Sequence, residues 1–403
     1  MTDALPPRSL ARRPAAPATV TRPVASPIHP SVVWRAEDAD ALDAQYEGRT
    51  QGFAYAREGH PNAVALAGQI DALEGAPAAG GGGLMFGSGM GAVSAVLLGL
   101  LKSGDRVIAS SQLYGRSLRL MTQDLPRFGI EVAFVDPTDG AAWAKAAEVP
   151  AAMVFAEVVS NPTLRVADMA AAAAAARAAG ALLVVDNTFT TPRGWRPFEH
   201  GADIVLHSVT KMLAGHSDAT LGWAAARDPE VRAALVAAQA SIGATASPFD
   251  CWLAERGLAT FALRYDRAEA NAAALADHLA ALPGVEASIY PGRADHPDHN
   301  RAGDLLQGRN GAMVAFRLKG GRKAANAFIR AARDLPFAPS LGDVQTLLSH
   351  PPSSSHRALS EEARLALGIT QGFIRVSVGV EEIETLKAEF STAVAAAAAV
   401  AED

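Results

Sequence analysis

Cysteine is almost absent from this chain, which has a single one, Cys251, in 403 residues. One thiol excludes an internal disulfide framework and is typical of a reducing compartment, so we expect a cytoplasmic protein. A long basic block is also missing, and the formal net charge is -6. Because anionic polymers and surfaces attract basic chains, we expect neither nucleic acid nor a membrane as the main partner.

Apolar runs long enough to span a bilayer are missing as well. The most apolar candidate begins at Met169 but is interrupted by Arg177 and Gly180, which indicates a helix, a turn and then a strand. The first 25 residues are rich in arginine, with Asp3 as the only acid. A transit peptide has such a composition, but the repeated prolines oppose its amphipathic helix, so we interpret this segment as part of a flexible arm.

Helical and strand-like segments alternate from residue 61 to residue 255. Apolar spacing predicts a helix that ends at Gly75, and a second helix that ends near Gly104 before a strand into Ser110. Alanine-rich helices separate short apolar runs, each closed by polar residues: "IEVAFVD", "AAMVFAEVVS", "ALLVVDN" and "ADIVLHS". Runs that are buried on both faces predict an α/β fold with a mostly parallel sheet covered by helices.

The pattern divides the chain into an N-terminal arm (1–60), a central α/β domain (61–255) and a smaller α/β C-terminal domain (256–403). In the last of these, "GAMVAFRL" and "GFIRVSVGVE" are predicted strands, and the alanine-rich tail from Glu384 is a predicted helix. No internal repeat of solenoid period is visible.

Ligands of parallel sheets bind at the carboxyl ends of the strands, and this rule selects Glu157, Asp186 and Ser208. Alone, Asp186 is equally compatible with a turn cap. Lys211 follows Ser208 in "HSVTKMLAGHSDATLG", and a lysine in so polar a loop can simply be exposed to solvent. Since successive strands are often neighbours, however, Asp186 and Lys211 can face one cavity.

Two further features belong to the same edge of the predicted sheet. Glycines 87, 89 and 91 of "MFGSGMGAV" open a helix whose N-terminal N–H groups suit a phosphate, although the same glycines can serve close packing. Tyr114 follows the next strand, either as a ring at the mouth of the site or as a partly buried turn residue. An amine, a carboxylate, an anion site and an aromatic ring together meet the needs of pyridoxal phosphate (PLP), which forms a Schiff base with a lysine.

The chain resembles the cystathionine γ-synthase family, PLP-dependent enzymes of cysteine and methionine metabolism, from about residue 20 to the C-terminus. The motifs that carry the resemblance occur in order: "YAREGHPN", "GSGM", "LYG", "SNPTLRVAD", "VVDNTF", "GADIVLHSVTKMLAGHSDATLG", "SPFDCWLAERGLATFALR" and "IRVSVGVE". The resemblance implies the fold of type I PLP-dependent transferases. Its larger domain, which binds PLP, has a mostly parallel seven-stranded sheet.

The resemblance also implies roles for individual residues at the cofactor. Lys211 would bind PLP covalently and act as the acid–base catalyst, and Asp186 would pair with the pyridine nitrogen. Tyr114 would stack on the ring and Asn161 would lie near its 3′ oxygen. The implied phosphate ligands are Ser208, Thr210 and the backbone of Gly89 and Met90.

Other implied roles concern the substrate and the neighbouring subunit. Arg375 would bind the substrate α-carboxylate, a task suited to its planar fork of donors, and Ser340 would line that end. Tyr55 and Arg57 would reach the phosphate bound in the adjacent subunit, which implies a homodimer or homotetramer.

Three positions depart from the family pattern. His60 replaces a common Asn of the arm motif, and a turn histidine explains it as well as a functional one. Arg116 stands where methionine γ-lyases have a cysteine, and it can bind a substrate's distal anion or form a salt bridge. Gln345 replaces the Glu thought to hold the distal ammonium of cystathionine, so affinity for that ammonium should fall by roughly 1–3 kcal/mol.

The segment "GDVQTLLSHPPSSSHRALSEEARLALGI" resembles sulfhydrylases of acylated homoserine. We therefore expect γ-replacement on O-acetyl- or O-succinylhomoserine with a sulfur nucleophile, giving homocysteine or cystathionine. A β- or γ-lyase acting on C–S bonds of cystathionine or methionine is the alternative, since it shares every cofactor residue. A catalytically silent homologue is a third class, which intact Lys211, Asp186 and Arg375 oppose.

Overall fold

The computed structural model describes residue 21 and residues 23–401. A seven-stranded sheet occupies the first part, in the order β1-β7-β6-β5-β4-β2-β3. Its strands are β1 (Leu84–Phe86), β2 (Arg106–Ser110), β3 (Glu131–Val135), β4 (Met153–Glu157), β5 (Leu182–Asp186), β6 (Ile204–His207) and β7 (Gly222–Ala226). Strands β2 to β6 pair in parallel, whereas β7 pairs antiparallel with both β6 and β1. The predicted mostly parallel sheet is confirmed.

The α-helices of the described residues surround this sheet or follow it in the chain. They are α1 (Ala39–Tyr46), α2 (Pro61–Glu74), α3 (Gly89–Leu100), α4 (Gly115–Arg119), α5 (Gly140–Ala146), α6 (Met169–Ala179), α7 (Thr191–Gly194), α8 (Pro229–Ile242), α9 (Pro248–Leu258), α10 (Phe261–Ala281), α11 (His299–Leu306), α12 (Gly321–Ala331), α13 (Glu361–Ala366) and α14 (Ile383–Ala401). Single turns of 3-10 or π type lie at Ala56–Glu58, Ala78–Gly80, Leu120–Asp124, Leu125–Phe128, Pro197–His200 and Pro351–Ser353.

Helix ends follow local chemistry. Helix α2 ends at Gly75, whose φ of 65° suits a left-handed C-terminal cap, as predicted. Helix α3 begins at the Ser88 cap but ends at Leu100, earlier than the predicted end near Gly104. There the Lys102 N–H donates to the Asp105 carboxylate at 2.8 Å, and this turn replaces the last helical turn.

The central strands are buried on both faces, which explains their continuous apolar runs. Val184 of β5 and Ile204 of β6 belong to one buried cluster, while Val185 and Val205 belong to the cluster on the opposite face. The segment from Met169 forms α6, a turn at Gly180 and β5, as predicted. Among the described residues, no helix combines the length and hydrophobicity needed to cross a membrane.

A second, four-stranded sheet lies in the C-terminal part, in the order β10-β11-β9-β8, and all its pairs are antiparallel. Its strands are β8 (Val285–Ile289), β9 (Met313–Leu318), β10 (Leu347–Ser349) and β11 (Phe373–Ser377). Phe316, Phe328 and Phe390 pack ring to ring between this sheet and helices α12 and α14. The predicted boundary after residue 255 falls inside α9, and the three-domain division stays a prediction, as does the flexible arm, much of which lies outside the described residues.

Candidate functional site

A cavity of about 880 Å³ lies at the carboxyl ends of β4, β5 and β6. It brings together residues from distant parts of the chain that the sequence selected as candidates. These are Gly89, Met90, Tyr114, Arg116, Asn161, Asp186, Ser208, Thr210, Lys211, Ser340 and Arg375. Tyr55 and Arg57 are not among the lining residues; they lie at a separate surface cavity beside Thr245 and Phe249.

Lys211 is held at the cavity by a hydrogen bond from its Nζ to Ser340 Oγ, 3.2 Å away. Burial lowers the pKa of the Lys211 amine, and the positive charge of Arg375 lowers it further. Both effects favour the neutral amine, which is the form that can attack an aldehyde or accept a proton.

Glu157 and Asp186 lie side by side on the cavity floor because β4 and β5 pair in register at these two residues. Burial raises the pKa of both carboxyl groups, and the neighbouring Asp186 charge raises that of Glu157 further. Asp186 accepts hydrogen bonds from the Thr188 N–H (3.0 Å) and Oγ1 (2.6 Å), which stabilise its ionised form. Within the described chain, Glu157 accepts only the Tyr114 N–H, and its pKa is raised well above its ordinary value, so the pair favours the proton on Glu157 and the charge on Asp186.

Tyr114 is tied to this floor through its backbone. Its N–H donates to Glu157 Oε1 at 2.6 Å, just before α4 begins, and 39% of its surface is exposed. Tyr114 lines the cavity and is partly exposed, which agrees both with a ring at the mouth of the site and with a partly buried turn residue, so its stacking on the cofactor stays a prediction.

A tight backbone approach shapes the end of the cavity near α3. A Cβ atom placed on Gly89 would lie 2.6 Å from the Ser208 Cβ, so only glycine fits there. Ser88 caps α3 by accepting from the Gly91 N–H at 2.9 Å, which leaves the N–H groups of the first turn directed toward the cavity. Such a helix start binds anions.

Thr210 is more constrained than its expected role requires. Its Oγ1 accepts from the Leu221 N–H at 2.9 Å and donates to the Leu221 carbonyl at 3.1 Å. To donate to a phosphate, the hydroxyl has to give up the carbonyl of Leu221.

Arg375 is a buried cation, 4% exposed, on β11. Its Nη1 donates to Asn161 Oδ1 (2.8 Å) and its Nη2 to the Ser340 carbonyl (2.9 Å), while its buried Nε has no partner. Burial lowers the pKa of Arg375 to about 10. Within the described part of the chain no acid pairs with it, so the site offers an anion one unsatisfied donor and an uncompensated charge.

These features fit PLP. An amine with a lowered pKa, a carboxylate for the ring nitrogen, a helix start for the phosphate and an aromatic residue, Tyr114, line one cavity. The orphaned Arg375 Nε adds a place for the carboxylate of an amino-acid substrate. When bound, PLP supplies an electron sink for a substrate carbanion.

Sequence reasoning left several lining residues without a role, among them Ser88, Arg119 and Arg357. The position of Arg119 at the cavity could have been predicted, because residues three apart on a helix lie on the same side and Arg119 follows Arg116 by three. His60 caps α2, accepting from the Ala63 N–H at 3.2 Å, as a turn histidine does.

Gln345 is exposed and is not part of the cavity wall. Its Nε2 donates to the carbonyl of Asp334 at 3.2 Å. The expectation that Gln345 lowers the affinity for a distal ammonium therefore gains no support from its position.

Comparison with known proteins decides the family. A family described as "Cys/Met metabolism PLP-dependent enzyme" matches residues 10–395. The chain belongs to this family. It is therefore a PLP-dependent enzyme, and the predicted family, fold and cofactor are confirmed.

Three relatives show the range of activities around this family member. A cystathionine β-lyase of Bacillus subtilis is 40% identical over 85% of this chain and 86% of its own. An O-succinylhomoserine sulfhydrylase of Pseudomonas aeruginosa is 39% identical over 89% of this chain and 87% of its own. The crystal structure of a cystathionine γ-synthase from Xanthomonas oryzae pv. oryzae, in complex with aminoacrylate and cysteine, superimposes with a TM-score of 0.87 at 36% identity, covering 93% of this chain and 94% of the other.

Proposed function

We propose that the enzyme replaces the acyloxy group at the γ carbon of O-succinyl- or O-acetylhomoserine by a sulfur nucleophile, giving homocysteine or cystathionine. The observation that carries the proposal is the distribution of charge in the cavity. In the described chain its acidic lining residues are Glu157 and Asp186, both on the floor, while Arg116, Arg119 and Arg357 line the rest of the wall with Arg375. Such a wall has no carboxylate for a distal ammonium but suits an acylated substrate.

The residues of the chain divide the work. Arg375 binds the substrate α-carboxylate, and the Ser340 segment that accepts its hydrogen bond also contacts Lys211. This common support sets the amine at a fixed position relative to the substrate α carbon. Lys211 removes the α proton and moves a proton at the β carbon, Asp186 keeps the ring nitrogen protonated, and Tyr114 takes a proton from the incoming amine.

An assay of the purified, PLP-loaded enzyme tests the proposal. Acylated homoserines, cystathionine and methionine are supplied in parallel, with and without sulfide, and homocysteine, 2-oxobutyrate and pyruvate are measured. Sulfide-dependent homocysteine from an acylated homoserine is the expected result, and the Lys211→Ala variant is the inactive control. Release of 2-oxobutyrate or pyruvate from cystathionine or methionine alone contradicts it.

A C–S lyase is the second candidate, favoured by the cystathionine β-lyase of B. subtilis among the relatives. The same assay separates the two, because a lyase needs no sulfide.

We also infer a homodimer or homotetramer with shared sites, in the cytoplasm. Arg57 lies over the Tyr55 ring, 5.1 Å from its centroid, and Tyr55 is 39% exposed. These two side chains lie away from the cavity of their own chain, as residues that serve a neighbouring subunit would. Mixing the inactive variants Arg57→Ala and Lys211→Ala should restore activity in hybrids, whereas no recovery after subunit exchange contradicts a shared site.

A further inference from the structure

We propose that Glu74 and His207 form a buried ion pair that holds Asp186 in place, and in its charged form, for the ring nitrogen of PLP. Both are positioning residues, since neither of them lines the cavity. The inference goes beyond the proposed function, because it concerns the cofactor end of the site, which a transferase and a C–S lyase share. It rests on the predicted pairing of Asp186 with the ring nitrogen.

The pair lies directly behind the strand ends that carry two of the candidate cofactor residues. Asp186 is the last residue of β5 and His207 the last residue of β6. Successive residues of an extended chain point to opposite faces of a sheet. Asp186 and Ser208 accordingly line the cavity, whereas Asn187 and His207 contact Glu74 of α2 on the other side.

One oxygen of Glu74 joins the two strand ends. Glu74 Oε1 accepts a hydrogen bond from Asn187 Nδ2 at 2.7 Å and forms a second hydrogen bond with His207 Nε2. The Asn187 side chain is fixed further, because its Nδ2 also donates to the Trp195 carbonyl at 2.8 Å. A single carboxylate thus sets where β5 and β6 end relative to each other.

Burial means that this carboxylate needs a charged partner. Glu74 is 0% exposed and His207 1% exposed, and the Trp223 ring lies 5.6 Å from the imidazole, centroid to centroid. Within the described chain, Glu74 Oε2 has no hydrogen-bond partner, so hydrogen bonds satisfy only one of the two oxygens. A buried carboxylate of this kind is costly unless a positive charge compensates it, and a protonated imidazole supplies that charge.

The positive end of the pair acts on Asp186. Burial raises the pKa of Asp186, while the hydrogen bonds from Thr188 and the positive charge of His207 oppose that rise. The ionised form of Asp186 is the one that can hold a proton on a ring nitrogen. Glu74 therefore supports the cofactor indirectly, by keeping the charge on His207.

The test removes the charge and keeps the shape. Glu74→Gln leaves the imidazole without a carboxylate, and the absorbance of bound PLP is then followed as the pH is raised. Removing a positive charge near the cofactor makes its proton harder to remove. The spectral transition should therefore move upward by roughly half a pH unit, since the two charges of the pair partly cancel. The Kd of PLP should rise at least about threefold, the factor that half a unit represents.

The other ionisable groups near Asp186 stay unchanged in this variant. Glu157 lies beside Asp186 on the floor, and Lys211 and Arg375 line the same cavity. A shift of the transition thus reports on the pair behind the floor.

Two further variants separate this role from a purely structural one. Glu74→Gln/His207→Gln keeps a hydrogen bond between two neutral side chains, so the PLP-loaded protein should regain stability against urea but keep the shifted transition and the weaker PLP binding. Asp71→Asn is the matched control on the same helix. Asp71 accepts from Trp223 Nε1 at 3.0 Å and from the Gly83 N–H at 2.9 Å, so its replacement should change stability and leave both PLP readouts unchanged.

An unshifted transition with parent-like PLP affinity in Glu74→Gln overturns the proposal, and so does a double variant that regains both along with its stability. If Glu74→Gln does not fold, the double variant decides by the same two readouts. A double variant that does not fold, while Asp71→Asn does, assigns the pair to the fold and also overturns the proposal. Neither readout needs turnover, so this proposal can fail while homocysteine still forms, and it can hold if the product assay shows a lyase.

Discussion

Replacing Arg375 by methionine should impair the enzyme far more than it destabilises the fold. The side chain is buried, donates to Asn161 Oδ1 and the Ser340 carbonyl, and has no acidic partner among the described residues. Methionine fills a similar volume without a charge. The change therefore removes a buried cation together with two neutral hydrogen bonds.

The magnitude follows from the pKa. Arg375 falls from its ordinary value of 12.5 to about 10, so burying the charge costs about 3 kcal/mol at any pH below about 10. Losing the two hydrogen bonds costs a similar amount, about 1–3 kcal/mol for each acceptor left unpaired. Because the terms oppose each other, Arg375→Met should lie within about 2 kcal/mol of the parent, unlike the roughly 3–5 kcal/mol lost when a buried ion pair is broken.

Urea unfolding of the PLP-loaded protein measures this difference, and kcat/KM for the acylated homoserine measures function. We expect kcat/KM to fall at least about a hundredfold, since the buried positive charge and the unsatisfied Nε donor that the site offers a carboxylate are both lost. Norleucine is an amino acid without a leaving group and so binds without reacting. It should raise the urea concentration at the unfolding midpoint of the parent but not of the variant. A stability loss of about 3–5 kcal/mol, or an unchanged response to norleucine, would show that Arg375 serves the fold.

Three further outcomes are expected. Gly89→Ala should weaken PLP binding at least about tenfold, because the new Cβ would lie 2.6 Å from the Ser208 Cβ. The control Gly68→Ala, whose Cβ would enter open space in α2, should keep the PLP affinity and raise the free energy of unfolding by about 0.5–1 kcal/mol. Titration of both variants with PLP measures the affinities. Borohydride should fix PLP to Lys211 in the parent and leave Lys211→Ala unlabelled, as peptide mass analysis will show, and label on another lysine refutes the assignment. The pKa of His356 is about 4 in the folded protein and 6.5 in the unfolded chain, so the unfolded chain takes up a proton first as the pH falls. The free energy of unfolding should therefore be highest above pH 6.5 and about 2 kcal/mol lower at pH 5. His356→Gln should lose less over this range in urea titrations at both pH values, and an unchanged slope would count against a neutral buried His356.

Much of the cofactor end could be predicted from the sequence because it depends on local patterns. Continuous apolar runs identified the central strands, and polar residues at their ends identified Asp186 and Ser208. The sequence allowed two explanations of Gly89, a phosphate-binding helix start or close packing of the backbone. The close approach of Gly89 to the Ser208 Cβ shows that close packing is one reason for the glycine.

What escaped prediction depends on contacts distant in sequence. Strand β7 is three-fifths alanine, which favours helix, and it becomes a strand by pairing with β6 and β1 on either side. Strand β10 has three residues, which are too few to show the alternation of apolar and polar residues that marks a strand in a sequence. It is recognised only from its pairing with β11. Arg357 reaches the cavity only because Gly115 packs on Ser355, a contact that no local pattern reports.

The separation of charge across the cavity explains how one pocket can hold both a cationic ring and an anionic substrate. Asp186 lies on the floor beside Glu157, whose pKa is raised well above its ordinary value by burial and by the Asp186 charge, so a second negative charge is disfavoured where the two carboxyl groups meet. Arg375 on β11 faces the other side, and its charge lowers the pKa of Lys211. Burial lowers that pKa as well, and the two effects together favour the neutral form of Lys211 that the proposed proton transfers need.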